Sequence, residues 1–99
     1  MLHAQLEKLE PYPPFYFMDQ GLAALNRGDD RVALQLFEKE LKRMPYDDEV
    51  HFAIAVTSLR LGDLRDARAH MTLALENSTT RDHRDIYAAK LAHLRQLDR

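Results

Sequence analysis

Five histidines are the first residues that could do chemistry, because imidazole is the commonest protein ligand for transition metals. They are His3, His51, His70, His83 and His93. No two of them are four residues apart, and the sequence lacks the His-Glu-x-x-His motif that places two imidazoles on one helix face. The carboxylates are scattered along the chain. We therefore expect no metal site and no cofactor.

One short segment, Asp82-His83-Arg84-Asp85, combines the residue types of an acid–base site. Acidic residues at a helix start are, however, ordinary capping and dipole-compensating groups. Ser58 has no base within one helical turn, and the sequence contains no glycine-rich phosphate loop and no nucleophile elbow. We expect that the chain is not an enzyme.

Composition narrows the choice of partners. The 99 residues carry 14 basic and 16 acidic side chains, a formal net charge of −2, without the basic face that nucleic-acid binders usually carry. Cysteine is absent, which excludes disulfides, cysteine-ligated zinc and thiol nucleophiles. The chain start lacks a signal-peptide pattern, and no stretch approaches the roughly 20 apolar residues that span a bilayer. We expect a single domain, cytoplasmic by default, with neither nucleic-acid nor membrane partners.

An internal repeat organises the chain. The segment Asn26-Arg27-Gly28-Asp29 is matched by Arg60-Leu61-Gly62-Asp63, so that the two glycines lie 34 residues apart (28 to 62). Further matches in this register are Leu25 with Leu59, Arg31 with Arg65, Ala33 with Ala67, Leu41 with Leu75, and Pro11-Tyr12 with Pro45-Tyr46. This offset is a known period of paired-helix repeats.

Hydrophobic periodicity predicts six helices and no strand, hence an all-α fold. Leu2, Leu6 and Leu9 predict a short opening helix that ends before Pro11. The other helices are expected over about 15–26, 31–43, 50–61, 64–76 and 82–97. The fourth helix is apolar nearly all round, which is typical of a helix covered on more than one side.

The helix ends and the buried faces can also be predicted. Gly28 and Gly62 supply the positive φ that closes a helix, and Asp29 or Asp30 is expected to cap the helix that follows. The apolar stripe of this third helix comprises Val32, Leu36, Phe37 and Leu41. In the last helix the residues expected to face inward are Ile86, Tyr87, Leu91, Leu94 and Leu97.

The 34-residue unit resembles the tetratricopeptide repeat. The matches are Phe17, Gly21, Ala33, Phe37 and Pro45 in the first repeat, and Ile54, Ala55, Ala67 and Ala74 in the second, where Met71 replaces an aromatic residue. Departures from the pattern are Gln20, Ala24, His51, Ser58 and Thr79. The resemblance implies a helix-turn-helix solenoid with a half-repeat over 1–13, repeats over 14–47 and 48–81, and a C-terminal capping helix over 82–99.

The small residues of the pattern have a physical reason. Gly21 and Ala55, and likewise Ala33 and Ala67, are expected where two helix axes approach to about 8–10 Å. Since His51 stands where the repeat has a large ring, we expect a packed histidine there.

The resemblance implies a function: a concave, largely apolar groove on the first helix of each repeat that binds a peptide or helix of a partner protein. The expected lining residues are Phe15, Met18, Leu22, Leu25, Asn26, Phe52, Val56, Leu59, Arg60, Ile86, Lys90 and His93. The carboxylate clamp of some family members is not carried over, because Met18 and Leu22 occupy its positions. Arg60 and Lys90 are either solvated surface charges or contacts to an acidic partner.

Two other hypotheses remain open at this stage. The chain is alternatively a structural or self-assembly segment, or the non-catalytic end of a larger multidomain protein. Stacked repeats need roughly three units for independent stability, which favours a piece of a longer array. The expected end helices also predict weak self-association, through 1–9 before the C-terminal helix.

Overall fold

The computed structural model describes residues 12–97, which form five α-helices and no β-strand. The helices are α1 (Tyr16–Asn26), α2 (Asp30–Arg43), α3 (Asp48–Arg60), α4 (Leu64–Glu76) and α5 (Arg81–Gln96). The predicted all-α class is confirmed for this part of the chain, and each helix begins within two residues of its expected start. The predicted opening helix, with Leu2, Leu6 and Leu9, lies outside the described residues. Judged by length and hydropathy, none of the five helices could cross a membrane.

α1 and α3 end in the same hydrogen-bonded motif. Gly28 and Gly62 have φ angles of 83° and 85°, a region that other residues rarely adopt. The amide of each glycine donates to the carbonyl three residues earlier, at 2.9 and 3.0 Å. The amide of the following aspartate donates to the carbonyl five residues earlier, at 2.9 and 2.8 Å. This is the Schellman arrangement, and it confirms that both glycines close helices.

Three helices carry side-chain caps at their N-termini. Asp47 Oδ1 accepts hydrogen bonds from the amides of Glu49 and Val50, at 2.8 and 3.2 Å. Asp63 caps α4 and Thr80 caps α5, each with one bond of 3.1 Å. Each cap satisfies amides that have no acceptor within their own helix.

The predicted cap of α2 is wrong. Asp29 stands at the N-cap position, but its carboxylate accepts no amide of the helix; it lies 3.5 Å from Arg27 Nε instead. Asp30 is likewise engaged elsewhere, since its Oδ1 lies 2.9 Å from Arg60 Nη2 on α3. Charged partners from neighbouring elements therefore take both carboxylates away from the helix end.

α1 receives its cap from another helix. Phe15, the residue before α1, has a φ of 62° and no capping side chain. The carboxylate of Glu40 on α2, which is fully buried, accepts the amide of Met18 through Oε2 at 3.0 Å. Its other oxygen lies 3.3 Å from Arg43 Nη1. Because the acceptor belongs to α2, this bond fixes the start of α1 relative to α2.

The helices pack in chain order around two apolar clusters, both of which include α3. One cluster joins α1, α2 and α3 through Ala24, Ala33, Phe37, Val50, Ala53 and Ile54. The other joins α3, α4 and α5 through Ala55, Ala67, Met71, Ala74, Tyr87, Leu91 and Leu94. The prediction that α3 is covered on more than one side is therefore confirmed.

Three of the expected inward-facing residues are in fact exposed. Val32 is 44% exposed and Leu97 47%, while Ile86, at 47%, faces the groove described below. On an α-helix each residue is rotated by about 100° from the one before, so Val32 lies about 140° around α2 from the buried Phe37. The predicted stripe was centred on the large side chains, whereas the structure buries the side that carries Ala33.

The first helix pair meets at Gly21 and Phe37. A Cβ atom added to Gly21 would lie 2.3 Å from Phe37 Cε1, so the ring rests directly on the α1 backbone. At the equivalent positions of the second pair stand Ala55 and Met71, both buried in one cluster. A flat ring over glycine in the first pair is thus replaced by a flexible side chain in the cluster of the second alanine, and the contact at Gly21 confirms the expected close approach there.

This close approach predicts an unusual sign for a glycine substitution. Gly→Ala in a helix interior ordinarily stabilises by about 1 kcal/mol. We expect Gly21→Ala to lower the free energy of unfolding by about 1 kcal/mol or more, because overpacking outweighs helix propensity. Urea denaturation of Gly21→Ala, Phe37→Met and the double variant, which copies the Ala55 and Met71 pair, measures the coupling. The double variant should be more stable than the two single losses predict, and strictly additive losses would contradict the contact.

Candidate functional site

Two open depressions meet on one face of the molecule. Their volumes are about 400 and 340 Å³, and both are lined by Val56, near the middle of α3. We call the two together the groove. Its walls come from α1, α3 and α5, with one residue, Met71, contributed by α4.

The first depression lies between α3 and α5. Phe52, Val56 and Leu59 recur at helical spacing, so they share one face of α3, and the latter two reach this depression. Lys90 and His93 stand on the α5 side and are exposed. The complete lining is Ala55, Val56, Leu59, Met71, Ala89, Lys90, His93 and Leu94.

The second depression lies where α1, α3 and α5 converge. Its lining is Met18, Leu22, Leu25, Glu49, Phe52, Ala53, Val56, His83, Ile86 and Tyr87. The Phe52 and Tyr87 rings hold α3 against α5, with centroids 5.3 Å apart. Most of this lining is apolar, and the polar groups that can still contact a ligand are few.

The groove holds large apolar side chains in contact with water. Leu22 is 42% exposed, Leu59 38% and Ile86 47%, one from each of α1, α3 and α5. Contiguous exposed apolar surface bordered by polar residues is typical of an interaction site. Val32 is also an exposed apolar residue, but it does not line the groove.

The structure brings nine of the twelve expected lining residues into the groove. They are Met18, Leu22, Leu25, Phe52, Val56, Leu59, Ile86, Lys90 and His93. Phe15, Asn26 and Arg60 do not line it. Arg60 is turned to α2, where its Nη2 lies 2.9 Å from Asp30 Oδ1, and Phe15 precedes α1 in left-handed backbone.

Eight residues that line the groove were not among those expected from the sequence. They are Glu49, Ala53, Ala55, Met71, His83, Tyr87, Ala89 and Leu94. His83, Ile86, Lys90 and His93 recur at spacings of three and four, so extending the α5 pattern backwards from Ile86 would have found His83.

A polar cluster stands at the edge of the second depression. The Tyr87 hydroxyl donates to Asp48 Oδ2 at 2.8 Å, and His83 Nδ1 lies 3.2 Å from the same oxygen. Asp48 is 7% exposed and Tyr87 3%. Burial, followed by the hydrogen bond to Asp48, raises the pKa of Tyr87 well above its ordinary value. The tyrosine therefore remains a donor, and the cluster ties α3 to α5.

A pair of histidines connects α3 to α4. His51 Nδ1 lies 3.1 Å from His70 Nδ1, and His51 Nε2 lies 2.8 Å from the Pro45 carbonyl oxygen. A carbonyl only accepts, so the His51 proton is on Nε2, and His70 must donate to His51 Nδ1. His51 is 4% exposed, which confirms the expected packed histidine.

The His51–His70 pair disfavours protonation. Burial, and next the neighbouring His51, lower the pKa of His70, while Asp66 and Glu38 act in the opposite direction. Within residues 12–97 no three His, Asp or Glu side chains are grouped so as to hold a metal ion. His3 lies outside that range.

No protein-family model, no curated protein and no solved structure matches the chain significantly.

The histidine pair predicts how stability depends on pH. Because the folded state lowers the pKa of His70 below its ordinary value of 6.5, the unfolded chain binds the proton more readily. The contribution of His70 to the free energy of unfolding is therefore complete above pH 6.5 and decreases as the pH drops below it. Thermal melts between pH 8 and pH 5 should show a smaller decrease in Tm for His70→Gln than for the wild type. His93→Gln, which removes an exposed imidazole, is the control, and equal pH dependence in wild type and His70→Gln would rule out this origin.

Proposed function

We propose that the chain is a protein-binding module of helix-turn-helix repeats, similar to the tetratricopeptide repeat, and that its groove binds a peptide or helix of a partner protein. The single observation that carries this proposal is the groove itself. Nine residues that the repeat register singles out lie together around two adjoining apolar depressions. Such surfaces, when open to water, are typical of interaction sites.

The construction of the helix pairs supports the repeat assignment over 14–47 and 48–81. Gly28 and Gly62, which are 34 residues apart, have φ angles within 2° of each other and close their helices with the same hydrogen bonds. Ala33 and Ala67 are both fully buried. The extensive contacts are between helices adjacent in the chain, as expected of stacked pairs.

The chemistry of the groove also supports a binding role rather than catalysis. The polar groups that line it are Glu49, His83, Tyr87, Lys90 and His93, and the Tyr87 hydroxyl is already bonded to Asp48. Ser58, which lies on α3, is 2% exposed. Among the described residues no serine or threonine lines the groove.

Self-association is the second candidate, favoured by one observation at the end of the described chain. Leu97 follows α5 and is 47% exposed, and burying a leucine is worth roughly 1.5–3 kcal/mol. Light scattering over a concentration series separates the two proposals. A dimer that persists when the groove is altered would favour association through an end helix.

Two exposed leucines test the binding function. Leu22 and Leu59 line different depressions and are 42% and 38% exposed, so Leu22→Ser with Leu59→Ser alters the groove with little effect on the core. We expect this double variant to weaken partner binding by more than about 1 kcal/mol, as truncated anchors do. Pull-down from the source organism, followed by titration of the recovered partner, measures the change.

Val32→Ser is the matched control. Val32 is 44% exposed but lies on α2 outside the groove, so the substitution removes exposed apolar surface elsewhere. Circular dichroism establishes that the variants fold. Equal partner affinity in the folded double variant and the wild type would remove the groove as the binding site.

A further inference from the structure

We infer that the occupant of the groove is an amphipathic helix with a basic side chain beyond one end of its apolar row and an acidic side chain beyond the other. This inference rests on the proposed function and specifies the partner. Three features carry it: the hydrogen-bonding capacity of the groove, the spacing along α3, and the opposite charges at its two depressions.

A helix fits the groove better than an extended peptide. All the walls are helical, so the groove offers no strand edge for backbone pairing. An extended peptide over this apolar surface would bury amides and carbonyls without partners. A helix satisfies its own backbone and presents only side chains, which is how amphipathic helices bind apolar grooves.

The spacing along α3 determines the apolar row. Phe52 lines only the second depression, Leu59 only the first, and Val56 lines both. Seven residues of helix separate Phe52 and Leu59 by about 10 Å. A partner helix that lies along α3 covers this length with apolar residues at i, i+4 and i+7.

The second depression carries negative charge. Glu49 lines it and has no ion-pair partner among the described residues. His83 lines it as well, with Nδ1 3.2 Å from the Asp48 carboxylate. The Glu49 carboxylate is complementary to a Lys or Arg side chain of the partner.

The first depression carries the opposite charge. Lys90 is exposed, lines this depression and has no ion-pair partner within residues 12–97. Arg60, the other nearby cation, is already paired with Asp30 at 2.9 Å. Lys90 is therefore the cation left to meet an acidic side chain of the partner. Charges placed in this way fix the direction of a bound helix more than they raise its affinity.

Selection from a peptide display library tests the inference on the full chain. The library fixes leucine at i, i+4 and i+7 of a helical peptide and randomises the residues beyond each end. Selection on the wild type should enrich Lys or Arg at one end and Asp or Glu at the other. Glu49→Lys should enrich acids at both ends, and Lys90→Glu should enrich bases at both ends.

Affinities of one wild-type-selected peptide provide the quantitative measurement. Binding to Glu49→Lys or Lys90→Glu should be about 3- to 10-fold weaker, as attraction between partly exposed charges becomes repulsion. The difference should shrink in 1 M salt, where screening is strong. Glu76→Lys is the matched control, because this exposed glutamate of α4 does not line the groove, and it should bind as the wild type does.

The outcomes separate this inference from the function on which it rests. Peptides that bind the wild type, lose affinity with Leu22→Ser and Leu59→Ser, and show no charge preference would overturn the inference and retain the groove. If no peptide of this helical library is enriched, the inference fails, and the pull-down with the double variant still decides the proposed function. If enriched peptides bind that double variant equally well, the proposed function and the inference both fail.

Discussion

The close approach of paired helices is the constraint on which the rest of the structure depends. Phe37 rests on Gly21 without room for even a methyl group between them, and Met71 is buried in one cluster with Ala55 at the equivalent positions of the next pair. This packing keeps α2 and α4 close behind α1 and α3, so the opposite faces of the odd-numbered helices remain open. A larger residue at position 21 would force the pair apart and change the angle at which those faces meet. The groove thus depends on the packing of the same helices, and Ala55 and Met71 of the second pair also line it.

α3 shows how one helix serves both the core and the groove. Its sequence is apolar nearly all round, and seven of its residues from Val50 to Ser58 are buried between the two clusters. Phe52, Val56 and Leu59 are left as the incompletely covered stripe. The buried hydroxyl of Thr57 donates to the Ala53 carbonyl at 2.7 Å. This polar side chain is therefore buried with a hydrogen-bond partner. The residue type alone does not show whether a residue of this stripe is buried or exposed, because its burial depends on the helices packed around it.

The sequence predicts local features well and lateral contacts poorly. Gly28 and Gly62 identify two helix ends because positive φ is a property of a single residue, and helical spacing identifies Phe52, Val56 and Leu59 as one face. Arg60 follows the same spacing yet leaves the groove, since Asp30 on another helix attracts it. The meeting of His51 with His70, 19 residues away, has no sequence signal either. Val32 was misjudged for a simpler reason: a small residue, Ala33, centres the buried side of α2.

Two buried carboxylates connect elements that apolar packing alone would leave free to slide. Glu40 of α2 accepts the amide of Met18 at the start of α1, and Asp48 of α3 accepts the hydroxyl of Tyr87 on α5. Buried ionic groups of this kind add little net stability, since desolvation offsets the attraction, but removing one partner is costly. Hydrogen bonds are directional, whereas apolar contacts are not. Both carboxylates therefore set the position of a helix that lines the groove, α1 in one case and α5 in the other. The shape of an apolar surface that must recognise a partner depends in this molecule on a few polar atoms placed behind it.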